Sequence, residues 1–496
     1  MTEVKPLDIL LVNIPRQDFY APPAGIAQIK SAVEAAGFQA KCIDLNIDLY
    51  RRLEEQGKLD QMPLWADWAL TNAQLELLRE IYGPILDDWA ALIASHNPTY
   101  LGISIFSNIS VIDAKALIKR VRVLLPYVKI VVGGPGVKLN GQALLEGGYC
   151  DFYIAGEGEL AIQALLRGEN SFPGINSYAA EIPFLDRLPF PDYSDFNFSS
   201  YRSQSPSLVI TGSRGCVRNC TFCNVRSTWK AFRFRTGKSL AAEMLHQHER
   251  HGTTNFNFSD NLVNGALHPF RDFCRELVEI RRSRDIAFRW SGHFIIRSKA
   301  AMPPSDFELM RDAGADTFWV GIESGSEAVR AHMKKMFSDA DMDYTFEQCQ
   351  RNGLRLQPML FFGYPTETEA DFRQTLDWIQ RNRRYSESKT IVRLLIGATM
   401  SIEPGSPVDE RREELKIRVD EQGQWYSELF PENTMDVRIE RHRRALELAQ
   451  SLNYPLIDRH SKSLSRVRDN ILAHKIPAPE NTDAAPQAGL VYRRSL

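Results

Sequence analysis

ITGSRGCVRNCTFCNV, residues 210–225, decides how this chain is read. It places Cys216, Cys220 and Cys223 in a C-x3-C-x2-C spacing directly after the strand-like run SLVITGS (207–213). Three thiolates so close on one loop can face a common centre, and thiolates suit iron–sulfur clusters or zinc. A closed structural zinc site calls for a fourth ligand, usually from a second Cys or Cys/His pair. None is placed for it, because the nearest downstream histidine, His246, falls inside the helical pattern KSLAAEMLHQHERHG (238–252). Three protein ligands leave one iron of a four-iron cluster open to an outside ligand, the logic that separates catalytic from closed metal sites.

Downstream of the loop, strand-like and helix-like runs alternate. TNFNFSD (254–260), AFRWSGHF (287–294), TFWVGIE (317–323), LRLQPMLFFG (354–363) and KTIVRLLIG (389–397) read as strands. Helices are expected near 268–283, at SDFELMRDAG (305–314), up to about 353 and at EADFRQTLDWIQRN (369–382). With the strand before the cysteines these form six βα-type units over 207–405. That is the pattern of a partial barrel, whose working residues sit at the C-terminal ends of its strands. Residues 406–496 are charged and read as helical, with a disordered tail expected from about 476.

Upstream, residues 1–185 give a second alternating series. DILLVNI (8–14), AKCIDLN (40–46), YLGISIF (100–106), KIVVGGP (129–135) and DFYIAG (151–156) are strand-like, separated by helical patterns such as GIAQIKSAVEAAG (25–37). The alternation predicts a doubly wound, Rossmann-like parallel sheet, a fold that binds ligands beyond the carboxyl ends of its strands. A polar stretch with several tryptophans (about 52–94) reads as an insertion. Residues 186–206, rich in proline, serine and aspartate, read as a linker.

Composition bounds the function. The 496 residues are 44% hydrophobic and 25% charged, as in ordinary globular proteins. A formal net charge of -2 supplies no positive field for nucleic acid. The apolar runs are far too short to span a membrane, and MTEVKPLD lacks the features of a secretion signal. A cytoplasmic setting with reduced thiols is expected, and the four scattered cysteines (Cys42, Cys150, Cys274, Cys349) read as buried and inert.

The three-cysteine spacing, with Phe222 before the last cysteine, resembles the signature of the radical S-adenosylmethionine (SAM) superfamily. The resemblance implies a 4Fe-4S cluster on Cys216, Cys220 and Cys223, whose open iron is chelated by SAM. Reductive cleavage of SAM there would give a 5′-deoxyadenosyl radical. Further segments occur in the family's order. FNFSDNLVN (256–264) implies Asp260 and Asn261 as SAM contacts, and GIESGSEAVR (321–330) implies Glu323 and Ser324. FFGYPTETEADF (361–372) resembles the turn near the adenine, bringing in Gly363, with Thr366 where relatives often carry glycine. Phe222 belongs to the same expected SAM surround. Taken singly, Ser324 and Thr368 also read as helix N-caps.

The first series resembles the cobalamin-binding domain fused to one subgroup of that superfamily, and the whole resemblance covers roughly residues 5–400. It implies cobalamin contacts from Ser104 and Ser107 in GISIFSN and from Gly133 and Gly134 in VVGGP. The D-x-H-x-x-G motif that supplies cobalt with a histidine elsewhere is absent from residues 13–25. The function implied is cobalamin-dependent methylation of an unactivated carbon. The alternatives are a non-methylating radical oxidation, cyclisation or rearrangement, a zinc-stabilised binding protein, and methylthiolation of tRNA. The expected partners are a small-molecule or peptide substrate and an external electron donor such as flavodoxin or ferredoxin.

Overall fold

The computed structural model describes residues 7–457 apart from Arg16, Asp18, 59–71, 108–109, 202–206 and 421–423, with the backbone alone at 72–80 and Ala398. The tail expected from about 476 lies outside the described residues, as do parts of the 52–94 stretch and of the 186–206 linker. The chain falls into two compact units. One is built on residues up to Ile210 with Glu243–Asn255, the other on Thr211–Ala242 and residues from Phe256 onward.

The first unit holds strands β1 (Ile9–Asn13), β2 (Ala40–Asp44), β3 (Tyr100–Ser104), β4 (Lys129–Gly133), β5 (Phe152–Ala155) and β6 (Ser177–Tyr178). They form one sheet ordered β2-β1-β3-β4-β5-β6, parallel at every pairing. All five residues of β1, ILLVN, are buried, as a central strand covered by helices on both faces requires. The chain leaves β1 toward β2 on one side and returns to β3 on the other. This makes β1/β3 the switch point at which open α/β sheets bind ligands. The register there aligns Asp44, Asn13, Ser104 and Gly133 in one row across the C-terminal edge of four strands.

The stretch expected to be an insertion is part of this unit's core. The helix Asn72–His96 contributes Tyr82, Ile85, Leu86, Trp89 and Ile93 to the main apolar cluster. Trp89 is fully buried, and its indole N–H donates to Asp48 at 2.6 Å. Its polar composition hid a continuous apolar stripe in the second half of the helix.

The second sheet contains β7 (Ser207–Ile210), which leads into the cysteine loop. A short antiparallel pair, β8 (Ser213–Arg214) and β9 (Arg233–Phe234), brackets that loop. Then follow β10 (Asn255–Phe258), β11 (Arg289–Phe294), β12 (Ala315–Glu323), β13 (Arg355–Phe362) and β14 (Leu394–Thr399). The C-terminal region adds a hairpin of β15 (Ile417–Val419) and β16 (Trp425–Ser427), the helix Met435–Ser451, and β17 (Leu456–Ile457). The sheet order is β17-β14-β13-β12-β11-β10-β7, with parallel pairing from β11 to β17. The six expected strands thus appear in sequence order, and β17 adds a seventh at the edge. Among the described residues, the C-terminal region holds the expected helix, Met435–Ser451, together with the hairpin and this strand.

Between sheet and helices, the Trp290 ring meets Phe258, Phe270, Phe273 and Phe318 edge-on at 5.4–6.0 Å, an arrangement that aromatic quadrupoles favour. The helices Asp339–Arg351 and Glu369–Arg381 each begin with a capping box, Ser338/Asp341 and Thr368/Asp371. Among the described residues, no helix is long and apolar enough to cross a membrane.

Candidate active site

The segment that enters the cysteine loop is held by two residues that follow β10. Asp260 is buried, and its carboxylate accepts from the Gly212 amide at 2.8 Å and from the Ser213 hydroxyl. Asn261 donates to the Gly215 carbonyl at 3.0 Å, one residue before Cys216. Burial raises the Asp260 pKa to about 7 against the pull of these hydrogen bonds and of Arg235. Its side chain lines a small cavity with Phe232, Phe234 and Phe258. Asp260 and Asn261 therefore position the loop.

Between the second and third cysteines, Thr221 and Phe222 anchor the loop. The Thr221 amide donates to Met333 O at 3.0 Å, and its hydroxyl meets the Tyr364 hydroxyl at 2.7 Å. Phe222 packs on the apolar cluster formed by Met333, Phe361, Tyr364, Met400 and Trp425, with its ring edge-on to Phe361 at 5.0 Å. All three cysteines are unpaired and half-buried. Cys216 Sγ accepts from the Arg218 amide at 3.3 Å.

Lys335, which the sequence reading did not single out, is a cation that acts on all three thiols. Its ammonium lies 3.0 Å from Glu323 and 5.8 Å from the centre of the Phe222 ring. Burial works against its charge, yet Glu323 and the thiols of Cys220 and Cys223 more than offset this and raise its pKa. Burial likewise raises all three thiols, Cys223 to about 11, while Lys335 draws each of them back. Metal ligation needs thiolates, so a cation facing three thiols suits the donor set to a thiolate-bound cluster. No three of the described His, Cys, Asp and Glu side chains close around a single-ion site. A four-iron cube holds its ligands farther apart than one ion does and makes a different demand.

Glu323 ends β12 at φ +66°, an uncommon conformation for a non-glycine residue, beside a shift in register between β12 and β13. Ser324 is fully buried, meets the Thr375 hydroxyl at 3.3 Å and accepts from the Ser326 amide. It caps no helix: Ser326 caps Glu327–His332, whereas Thr368 does cap Glu369–Arg381. Gly363 has φ +85°, and a Cβ there would stand 2.1 Å from Arg438 Cδ. Its amide donates to Glu367, which pairs with Arg441 at 3.0 Å, both fully buried. Thr366 lies 2.7 Å from a His332 ring nitrogen.

In the first unit, Ser104 and Gly133 lie in the C-terminal row at the switch point. Gly133 has no atom within 3.7 Å of an added Cβ, whereas at Gly134, φ +95°, a Cβ would meet Ile105 O at 2.7 Å. The first leaves the strand end open and the second serves the turn, so this edge offers a ligand mostly backbone. Ser107 is turned inward, its hydroxyl 3.1 Å from that of Ser110 at the start of the next helix. Asp44 was missed by sequence reading. It accepts from Asn13 at 2.9 Å and from the Tyr201 hydroxyl at 2.9 Å, and gives the row a buried polar centre.

Residues 210–379 match the model of the Radical SAM superfamily, and residues 69–166 match that of the B12 binding domain. The chain is 26% identical over 283 residues to anaerobic magnesium-protoporphyrin IX monomethyl ester cyclase of Synechocystis sp., covering 52% of this chain and 55% of that protein. It is 23% identical over 418 residues to cytidylyl-2-hydroxyethylphosphonate methyltransferase of Streptomyces wedmorensis, covering 74% and 73%. The chain thus spans about half to three quarters of these curated relatives. The fold is that of the methyltransferase TsrM from Kitasatospora setae, solved with cobalamin and a [4Fe-4S] cluster, at TM-score 0.63 and 14% identity over 94% of this chain and all of that one. The chain therefore carries a radical SAM domain over residues 210–379, with a B12 binding domain ahead of it over residues 69–166.

Proposed function

We propose that the chain reductively cleaves SAM at a 4Fe-4S cluster held by Cys216, Cys220 and Cys223, and uses the 5′-deoxyadenosyl radical for cobalamin-dependent methylation of an unactivated carbon in a small molecule or peptide. The observation that carries the reading is the cysteine loop itself: three unpaired thiols beside Lys335, on a loop clamped by Asp260, Asn261, Thr221 and Phe222. When bound, the cluster supplies an electron and an open iron, and cobalamin supplies a methyl carrier.

The protein's own part is placement. Lys335 favours the thiolates, Glu323 holds Lys335 in place, and Tyr364, next to the Gly363 turn, holds the loop at Thr221. Ser104, Gly133 and Gly134 are the proposed cobalamin contacts, with Asn13 and Asp44 beside them. Ser324, being fully buried, acts by shaping the end of β12. The proposed domains are 1–185, 207–405 and 406–496, joined through 186–206. A flavodoxin or ferredoxin in the cytoplasm is the proposed electron source. The formal charge of -2 gives no support to nucleic acid as substrate.

Anaerobic turnover with SAM and a low-potential reductant tests the proposal. The expected products are 5′-deoxyadenosine, S-adenosylhomocysteine and a substrate one methyl group heavier. 5′-Deoxyadenosine with neither of the other two would overturn methyl transfer and leave a non-methylating radical reaction.

A further inference from the structure

Strand register brings His293 of β11, Trp319 of β12 and Gln357 of β13 to one level: His293 pairs with Trp319, and Trp319 with Gln357. Successive strand residues face opposite sides. Their neighbours Phe294, Phe318, Val320 and Leu356 are fully buried, with Phe318 in ring contact with Trp290 and Phe294. The three polar residues therefore share the other face of the sheet. Two residues farther along β12, Gly321 faces the same side, and a Cβ added there would stand 2.3 Å from the Glu323 carboxylate and 2.9 Å from the Lys335 ammonium. Four residues farther along β13, Phe361 meets the Phe222 ring.

Barrel interiors are ordinarily filled by branched aliphatic side chains. Here one level instead holds an imidazole, an indole and an amide. Gln357 is 8% exposed, and its side-chain oxygen has no hydrogen-bond partner among the described residues. A buried acceptor left unmet destabilises the fold, so its presence points to a counter-group outside the chain. The His293 and Trp319 rings lie 5.6 Å apart and tilted by 33°, leaving flat surface and ring N–H groups. Burial alone lowers the His293 pKa, so the imidazole is neutral near pH 7 and offers one donor and one acceptor. The row contains no charged side chain, and the charges along these strands on either side of it are paired, Glu323 with Lys335 and Arg355 with Asp316.

We infer that His293, Trp319 and Gln357 form the substrate-recognition row, and that they select a neutral, planar group bearing both a donor and an acceptor, such as an amide, lactam or heteroaromatic ring. The inference rests on the proposed radical SAM function only in taking this face as the substrate side.

The test uses the full-length reconstituted protein and saturation-transfer NMR with nicotinamide and 2-pyridone as probes and nicotinate as the charged control. Both neutral probes should bind and nicotinate should not, and excess SAM should leave the probe signal in place. Gln357→Leu and His293→Phe should each weaken probe binding about tenfold, the scale of one or two lost hydrogen bonds. Gln357→Leu should melt at or above the wild-type temperature, because it removes an unmet buried acceptor. Undiminished probe binding in both variants would overturn the inference. So would displacement by SAM, which would make the row an adenine site, or a lower melting temperature of Gln357→Leu without probe binding to the wild type. Probe binding that depends on the row, in a wild type that makes no 5′-deoxyadenosine, would support the row while overturning the radical function.

Discussion

The Lys335 ammonium lies 3.0 Å from the Glu323 carboxylate, and this largely buried ion pair stands beside the thiols of Cys220 and Cys223. The cation favours each thiolate over its thiol. In cluster-free protein, Lys335→Met should move the pH dependence of cysteine alkylation by iodoacetamide upward and slow alkylation at pH 8 several-fold. Glu323→Gln leaves Lys335 unanswered and should destabilise the fold by up to about 3 kcal/mol, the low end for a broken buried pair. An alkylation profile identical to wild type in Lys335→Met would show that the ammonium does not act on the thiols.

Asp260 makes the fold sensitive to pH. Burial raises its folded-state pKa from 3.8 to about 7, so its contribution to stability is fully present below the unfolded value and is lost as pH rises through the folded one. Relative to Asp260→Asn, the wild type should lose up to about 4 kcal/mol between pH 4 and pH 8. Urea denaturation of both proteins across that range measures it; parallel curves would contradict the assignment.

Gly363→Ala should destabilise the protein by about 2–3 kcal/mol, because it combines a left-handed backbone with a clash. The Cβ would overlap Arg438, whose buried guanidinium stacks on Trp425 at 3.8 Å from ring centre to Cζ. Chemical denaturation should show the loss, and trypsin should cut the C-terminal region faster. A variant as stable as wild type would mean that Arg438 moves freely away from the turn.

Glu367 and Arg441 are 1% and 2% exposed at the side chain. Removing either partner should cost about 3–5 kcal/mol, while the double variant Glu367→Leu/Arg441→Met should recover most of it. A double-mutant cycle with no coupling energy would refute a pairwise role.

The fold and the proposed cluster ligands were legible because their signals are local. C-x3-C-x2-C needs only eight residues of sequence, and β1, β4 and β12 announce themselves as apolar runs. The roles of individual polar residues were not local. Asp260 and Asn261 lie in the expected segment, yet their hydrogen bonds go to Gly212, Ser213 and Gly215, more than 40 residues earlier. Ser324 reads as a cap by sequence, and only the path of the chain after β12 gives that role to Ser326 instead. Lys335 was missed because it follows a short helix by a few residues, with nothing in KKMF to show that it turns back to Glu323 and the cysteines. His293, Trp319 and Gln357 become a row only once the register of three strands is known. Trp425 packs in the apolar cluster against Arg438, which comes from a stretch whose sequence shows only that it is charged and helical.

The most direct measurement of the central claim is the ultraviolet–visible spectrum of the chain after anaerobic reconstitution with iron, sulfide and hydroxocobalamin and desalting. It is recorded beside a Cys216/Cys220/Cys223→Ala triple variant. Broad cluster absorption in the wild type and not in the variant, with sharper cobalamin bands in both, is the predicted result. A wild-type spectrum no different from that of the variant would contradict the assignment of these three cysteines as cluster ligands.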